Sequence, residues 1–178
     1  MSSRTRDLSL TVHILASIGW FGAVLAFLAL AVAGLTSPAP RLATASYLAM
    51  QLATRYAILP LCFASLATGI IQSLATRWGL FRHYWVVIKL VLTLLATAVL
   101  LLHTRPIDQL ATLAGHADLA PADHRALRVQ LVLDASAALI VLVTATALAV
   151  YKPRGLTRRG LRTLEPPRRD HAARAVSA

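Results

Sequence analysis

Apolar positions run almost without interruption through four long stretches of the chain. A hydrocarbon core about 30 Å thick is crossed by about 20 helical residues at 1.5 Å per residue, and each stretch reaches that length. In lipid every backbone N–H and C=O needs a partner within its own segment, so each stretch must be helical. The pattern therefore predicts an all-α integral membrane four-helix bundle. Its spans run from Leu8 to Gly34, from Ala45 to Thr76, from Tyr84 to His103 and from Val129 to Tyr151.

Composition supports the membrane assignment. Of the 178 residues, 57% are apolar and 14% are charged, whereas a soluble domain has about a quarter of its residues charged. This excludes a water-soluble globule, and the high hydrophobicity excludes disorder over most of the chain. The single cysteine, Cys62, excludes an intramolecular disulfide and a cysteine-rich metal site. Residues 1–153 are therefore interpreted as one four-span domain whose first partner is the lipid bilayer.

Proline and polar residues separate the spans. Pro38 and Pro40 follow the first span, and Pro106 follows the third. The segment from Thr104 to Arg128 is the only sizeable loop that the pattern predicts, and its weakly amphipathic section from Leu110 to Leu119 is predicted to lie on the membrane surface. Within the second span, Pro60 removes an N–H and should kink the helix.

Basic residues indicate the orientation in the membrane. The N-terminus, the second loop and the C-terminal tail together hold 12 Lys and Arg, whereas the first and third loops hold four. The excess of positive charge on cytoplasmic segments predicts that both termini are cytoplasmic in a multi-pass protein of the cytoplasmic (inner) membrane. Residues 154–178 are interpreted as a basic, mostly disordered tail. Since no aromatic residue follows Tyr151, the tail is expected to attract anionic lipid and not to bind nucleic acid.

Five ionisable residues lie inside the predicted spans, where a charged group costs at least about 2.5 kcal/mol. Counting 1.5 Å per residue from the cytoplasmic ends places His13 and Lys89 at about 7 Å. The same count places the other three about 25 to 30 Å up, near the outer boundary. These three are Arg55, His103 and Asp134. Each group of residues can meet within itself, but the two groups are too far apart to touch.

Structural explanations remain open for these residues. Arg55 and Asp134 are interpreted as a structural ion pair at the outer headgroup level, because buried charges are normally paired. Lys89 is long enough to reach the cytoplasmic surface with its amine. His103 lies at a helix end, where water removes the cost of burial. A neutral His13 bonded to a neighbouring carbonyl is an alternative to a ligand role.

A set of polar, aromatic and small positions, in a fixed order along the four spans, resembles a known family. The positions are His13, Trp20-Phe21-Gly22, Arg55, Pro60, Gly69, Trp85, Lys89, His103, Asp134 and Lys152-Pro153. Over roughly Val12 to Pro153 the chain resembles the HemJ-type membrane protoporphyrinogen oxidases and the related copper-resistance-D-like four-span proteins.

The resemblance implies a haem b or porphyrin site. In that interpretation His13 is the metal ligand, and Lys89 is both a cofactor-binding and a catalytic residue. Trp20 shares a face of the first helix with His13 and is assigned to the cofactor-binding set as well. If the protein is an enzyme, the resemblance implies an oxidoreductase that acts on a porphyrinogen.

The predicted depths restrict how a haem could be held. His13 and His103 are separated by about 20 Å along the membrane normal, so these two residues of one protomer cannot ligate the same iron. If His13 binds a haem iron, the sixth coordination position of that iron is open, is filled by another ligand, or is filled by His13 of a second protomer across a symmetric interface. A homo-oligomer therefore stays open as a partner. Two other function classes also stay open: a non-enzymatic membrane scaffold or accessory subunit, and a small permease.

The orientation can be tested with reporter fusions. We expect a green fluorescent protein fused after Ala178 to be fluorescent, and alkaline phosphatase fused at the same site to be inactive, because the positive charges hold the tail in the cytoplasm. Phosphatase inserted at Ser37 should be active. An active phosphatase at Ala178 would contradict the predicted orientation.

Overall fold

The computed structural model describes residues 3–75, 83–115 and 124–151, and nearly all of them are helical. A π-helical turn, Thr54–Ile58, joins the second and third helices into one continuous rod. The helices are α1 (Ser3–Thr36), α2 (Pro40–Ala53), α3 (Leu59–Ala75), α4 (Tyr84–Gly115) and α5 (Arg125–Tyr151).

Four of the resulting helical rods are long and apolar enough to cross a membrane. They are α1, the rod formed by α2 and α3, α4, and α5. This confirms the prediction of an all-helical, four-span architecture compatible with a multi-pass membrane protein. The predicted loop around Arg77 and Arg82, and the tail at 154–178, lie outside the described residues.

The first turn is shorter than predicted, because α2 begins at Pro40 and not at Ala45. Pro38 disfavours helical geometry at the residue before it, which ends α1. Pro40 occupies the first turn of α2, where a missing N–H has no intrahelical partner to lose. Ser37 bridges the turn, since its Oγ accepts a hydrogen bond from the Ala39 N–H at 3.1 Å.

The third span also differs from its prediction. α4 continues through Pro106 to Gly115, so the predicted end at His103 is wrong. Leu110 is fully buried, so the described part of the Leu110–Leu119 section packs into the bundle as a continuation of α4, and its position at the membrane surface stays a prediction. Residues 116–119 lie outside the described range. A proline inside a helix costs about 3 kcal/mol. Burial of each large apolar side chain contributes about 1.5–3 kcal/mol, so Leu110 and Ile107 together offset that cost.

Two further boundaries show the limits of the pattern. α5 begins at Arg125, four residues before Val129. In the second span the helix stays continuous around Pro60 and takes the wider π turn just before it. Because the proline ring clashes with the carbonyl of Tyr56, a locally widened turn gives the ring room without breaking the rod.

Helix packing is uneven along the bundle. α1 is central and packs against α2, α3 and α5, while α4 packs against α2 and α5 and only loosely against α3. The large side chains that are almost completely buried cluster where α1 ends and α2 begins. They are Tyr47, Met50, Leu110 and Leu131. The loose contact between α3 and α4, towards the opposite end, leaves the space in which the candidate site lies.

The helices are longer than a bilayer requires. α1 has 34 residues, a length of about 51 Å at 1.5 Å per residue, against a hydrocarbon core of about 30 Å. The charged residues Arg55, Asp108 and Arg128 belong to the tightly packed end of the bundle. We therefore expect this end to lie at or beyond the membrane surface.

A close approach of α1 and α2 can be tested at Gly34. A Cβ atom there would lie 2.8 Å from Cζ of Tyr47, whereas a Cβ at Gly22 would meet nothing within 4 Å. Tyr47 is almost completely buried and cannot move aside. Gly34→Ala should therefore destabilise the protein by about 1–3 kcal/mol. Thermal unfolding followed by circular dichroism measures the effect, and Gly22→Ala is the matched control, expected to be neutral or stabilising. Equal stability of the two variants would contradict the packing.

Candidate functional site

A cavity of about 480 Å³ lies between α1, α3 and α4. We call it the α1–α4 cavity. Its polar lining residues are His13, Ser65, Gln72, Ser73, Trp85, Lys89 and Thr93. The remaining lining consists of aliphatic side chains and Gly69, with Ala149 of α5. The structure thus places His13 and Lys89 at one cavity, as their predicted depths allowed.

The imidazole of His13 faces α3 and not the lipid. Its Nδ1 lies 3.1 Å from the carbonyl oxygen of Ser65 and 3.0 Å from Oγ1 of Thr68. Thr68 donates its own hydroxyl proton to the carbonyl of Ala64 at 2.6 Å. Because a carbonyl oxygen can only accept, the proton belongs on Nδ1 of His13. Nε2 makes no hydrogen bond to any described residue and remains available to a ligand.

Small residues on α3 make room for the imidazole. A Cβ atom at Gly69 would lie 3.1 Å from Cε1 of His13, so a larger residue there would push against the ring. Beside it, the hydroxyls of Ser17 and Ser65 form a hydrogen bond of 2.8 Å between α1 and α3. The carbonyl of Ser65 has no signal in the sequence, because every residue carries a backbone carbonyl.

Two hydrogen-bond donors at this cavity lack acceptors. Lys89 is partly buried and forms no ion pair within the part of the chain that the structure describes. Nε2 of Gln72 is buried and has no hydrogen-bond partner among the described residues. No carboxylate is among the lining residues. The cavity is therefore rich in donors and poor in acceptors, which makes it complementary to an anionic group. The sequence pattern does not single out Gln72, because an amide carries no charge to mark it.

Trp20 does not line the α1–α4 cavity. It is 3% exposed and lines a second cavity of about 180 Å³ between α4 and α5. The assignment of Trp20 to the same cofactor-binding set as His13 and Lys89 therefore needs correction. The cause is geometric: seven residues along a helix return to nearly the same face but move about 10 Å along the axis.

The predicted ion pair between Arg55 and Asp134 is also corrected. Arg55 instead donates to Oδ2 of Asp108 at 2.9 Å, and Gln51 donates to Oδ1 of the same carboxylate at 2.8 Å. Asp134 lies 2.9 Å from Nε2 of His103. The pattern placed Asp108 in a loop, because Pro106 was taken as the end of the helix; once α4 continues, Asp108 faces α2.

His13 and His103 line different cavities and have different partners. Their separation agrees with the expectation that the two residues of one protomer cannot ligate the same iron. Among the described residues, no three His, Cys, Asp or Glu side chains group in a way that could hold a metal ion. Within the described part of the chain, a metal at His13 thus finds no cluster of further His, Cys, Asp or Glu ligands, whereas a porphyrin would bring ligands of its own.

Comparison with protein families, with curated proteins and with solved structures gives no match to this chain. Function is therefore inferred from the chemistry of the two cavities.

The corrected ion pair can be tested by double-mutant cycles. Arg55→Ala and Asp108→Ala should be coupled by about 0.2–1 kcal/mol, the range for exposed pairs, because both side chains are largely solvent-accessible. Arg55→Ala and Asp134→Ala form the matched control and should be additive. Unfolding free energies of the single and double variants measure both couplings. If only the cycle of Arg55 and Asp134 shows coupling, the ion pair predicted from the sequence is correct.

Proposed function

We propose that the α1–α4 cavity binds a porphyrin that carries carboxylate groups, with haem b as the leading candidate. In this proposal His13 is the iron ligand, and Lys89 and Gln72 bind a carboxylate. The observation that carries the proposal is the convergence of an imidazole with a free Nε2 and two donors without acceptors on one cavity.

The surroundings of His13 fit a metal ligand. Histidines that bind metal usually donate the proton of the other ring nitrogen to a carbonyl or carboxylate, which fixes the tautomer and the ring orientation. Here Nδ1 bonds to the carbonyl of Ser65. The Thr68 hydroxyl contacts Nδ1 and holds the ring against α3. The absence of a side chain at Gly69 leaves room for the ring there. The imidazole is thus preorganised with Nε2 as the ligating atom.

The lining suits an amphipathic ligand. A volume of about 480 Å³ lies within the range of about 300–1,000 Å³ for ligand pockets. Leu10, Ile14 and Ile70 supply apolar surface for a ring system, and Lys89 supplies a positive charge for a carboxylate. A bound haem would supply one-electron redox chemistry, and the protein would contribute one axial ligand, charge pairing and exclusion of water.

A purely structural bundle explains the cavity less well. A buried donor without a partner costs about 1–3 kcal/mol, and the amide of Gln72 bears that cost. An unpaired amine on a partly buried lysine adds to it. A scaffold subunit would gain no stability from an amide and an amine that lack partners beside a cavity. A ligand that accepts from both removes the cost.

The proposal is tested by titrating the purified full-length protein with haem. We expect a shifted Soret band typical of histidine ligation, which His13→Ala should abolish because His13 is the one histidine among the described lining residues of this cavity. His103→Ala is the matched control and should retain the band, since His103 lies at the other cavity. An unchanged haem spectrum in the presence of protein would reject the proposal.

Carboxylate binding is measured separately with iron-free protoporphyrin. Lys89→Met and Gln72→Leu should weaken binding about tenfold or more, because a hydrogen bond to a charged group contributes about 1.5–3 kcal/mol. His13→Ala should have a smaller effect, as no iron is present. Equal affinities in all four proteins would show that Lys89 and Gln72 do not bind the carboxylates.

A further inference from the structure

The second cavity, which we call the α4–α5 cavity, is separate from the proposed porphyrin site. Its walls come from α4 and α5, and α1 and Ile58 close it. Almost all lining residues are apolar, and alanines leave the space open. These alanines are Ala96, Ala135, Ala137 and Ala138. Such a lining excludes a charged or strongly hydrated ligand, because its solvation would be lost without replacement.

Two polar atoms at this cavity have incomplete hydrogen bonding. Nε1 of Trp20, on a side chain that is 3% exposed, has no hydrogen-bond partner in the part of the chain that the structure describes. Oδ2 of Asp134 is buried and has no aligned hydrogen bond, although it lies 2.9 Å from Nε2 of His103. The cavity thus offers one free donor and one acceptor with capacity to spare. Leaving each unmet costs about 1–3 kcal/mol.

His103 adds a proton-carrying group beside Asp134. Its Nδ1 lies 2.8 Å from the carbonyl of Val99, and its Nε2 also lies 3.1 Å from Nε2 of Gln130. The Val99 carbonyl can only accept and the Gln130 amide nitrogen can only donate, so Nδ1 of His103 donates to Val99 and Nε2 accepts from Gln130. The imidazole and the carboxylate lie side by side at one edge of an otherwise apolar cavity, and Oδ2 of Asp134 keeps its capacity to accept.

We propose that the α4–α5 cavity binds the ring of a lipid-soluble quinone or its quinol. A quinone is neutral and mostly apolar, so it matches the alanine-rich walls. Its carbonyl oxygen accepts a hydrogen bond from the indole N–H of Trp20, and a quinol hydroxyl donates to Asp134. A lipid acyl chain would fill the same apolar volume but would satisfy neither polar atom. The proposal is independent of whether the α1–α4 cavity binds a porphyrin.

The experiment uses the fluorescence of Trp20 in the full-length protein. The chain has three tryptophans, so a Trp78→Phe, Trp85→Phe background leaves Trp20 as the only one. Titration with a short-chain benzoquinone should give saturable quenching. Ala96→Leu fills the cavity and should weaken apparent binding at least tenfold. Ala98→Leu, on the exposed side of the same helix and outside the cavity lining, is the matched control and should leave binding unchanged.

Three results would overturn the proposal. Quenching that rises linearly without saturation would indicate collision and not binding. Equal quenching in Ala96→Leu and Ala98→Leu would place the quinone elsewhere. Displacement of the quinone by an alkyl chain without a carbonyl, at equal concentration, would assign the cavity to a lipid acyl chain. If circular dichroism shows that Ala96→Leu does not fold, Ala138→Leu fills the same cavity from α5.

Discussion

The side-chain hydrogen bond between helices is the interaction on which this bundle's site geometry depends. In lipid the backbone of each helix is already satisfied, so a serine or threonine can bond to its own preceding turn, as Thr93 and Ser73 do. Only a few polar groups reach a neighbouring helix, and each such bond contributes about 0.6–1.7 kcal/mol. The bond from His13 to the Ser65 carbonyl is one of them. It sets the height and rotation of α1 against α3, and with them the cavity that both helices line.

The two ends of the bundle are built differently. Where α1 meets α2, Tyr47 and Leu110 are almost completely buried, and Arg128 lies 5.6 Å from the centre of the Tyr47 ring. Towards the other end α3 and α4 separate, and polar side chains face the space between them. The close-packed end holds the helical rods in a fixed arrangement. The cavity at the looser end is therefore kept, although the side chains that line it gain little stability from packing. The proposed porphyrin site lies at the loosely packed end.

The sequence predicted correctly those structural features that depend on a single segment of the chain. Four long apolar stretches determine four helices, because lipid leaves the backbone no other choice. Depth counted along a helix also placed His13 with Lys89 and apart from His103, since the rise per residue is constant. Prediction failed at Pro106, where burial of Ile107 and Leu110 outweighs the cost of the proline. The wrong partner for Arg55 followed directly from that mistake, because Asp108 had been placed in a loop.

The sequence by itself determined the all-helical character with four helices long and apolar enough to cross a membrane, the level of each charged residue along its helix, and the identity of the chemistry-bearing side chains. Those properties depend on composition and on distance along one chain. Tertiary structure alone decided that Nδ1 of His13 bonds to a carbonyl, that neither Nε2 of His13 nor the amide nitrogen of Gln72 has a partner among the described residues, and that Trp20 belongs to the other cavity. Backbone carbonyls and rotation about helix axes have no signature in residue type, so only the packed bundle fixes them.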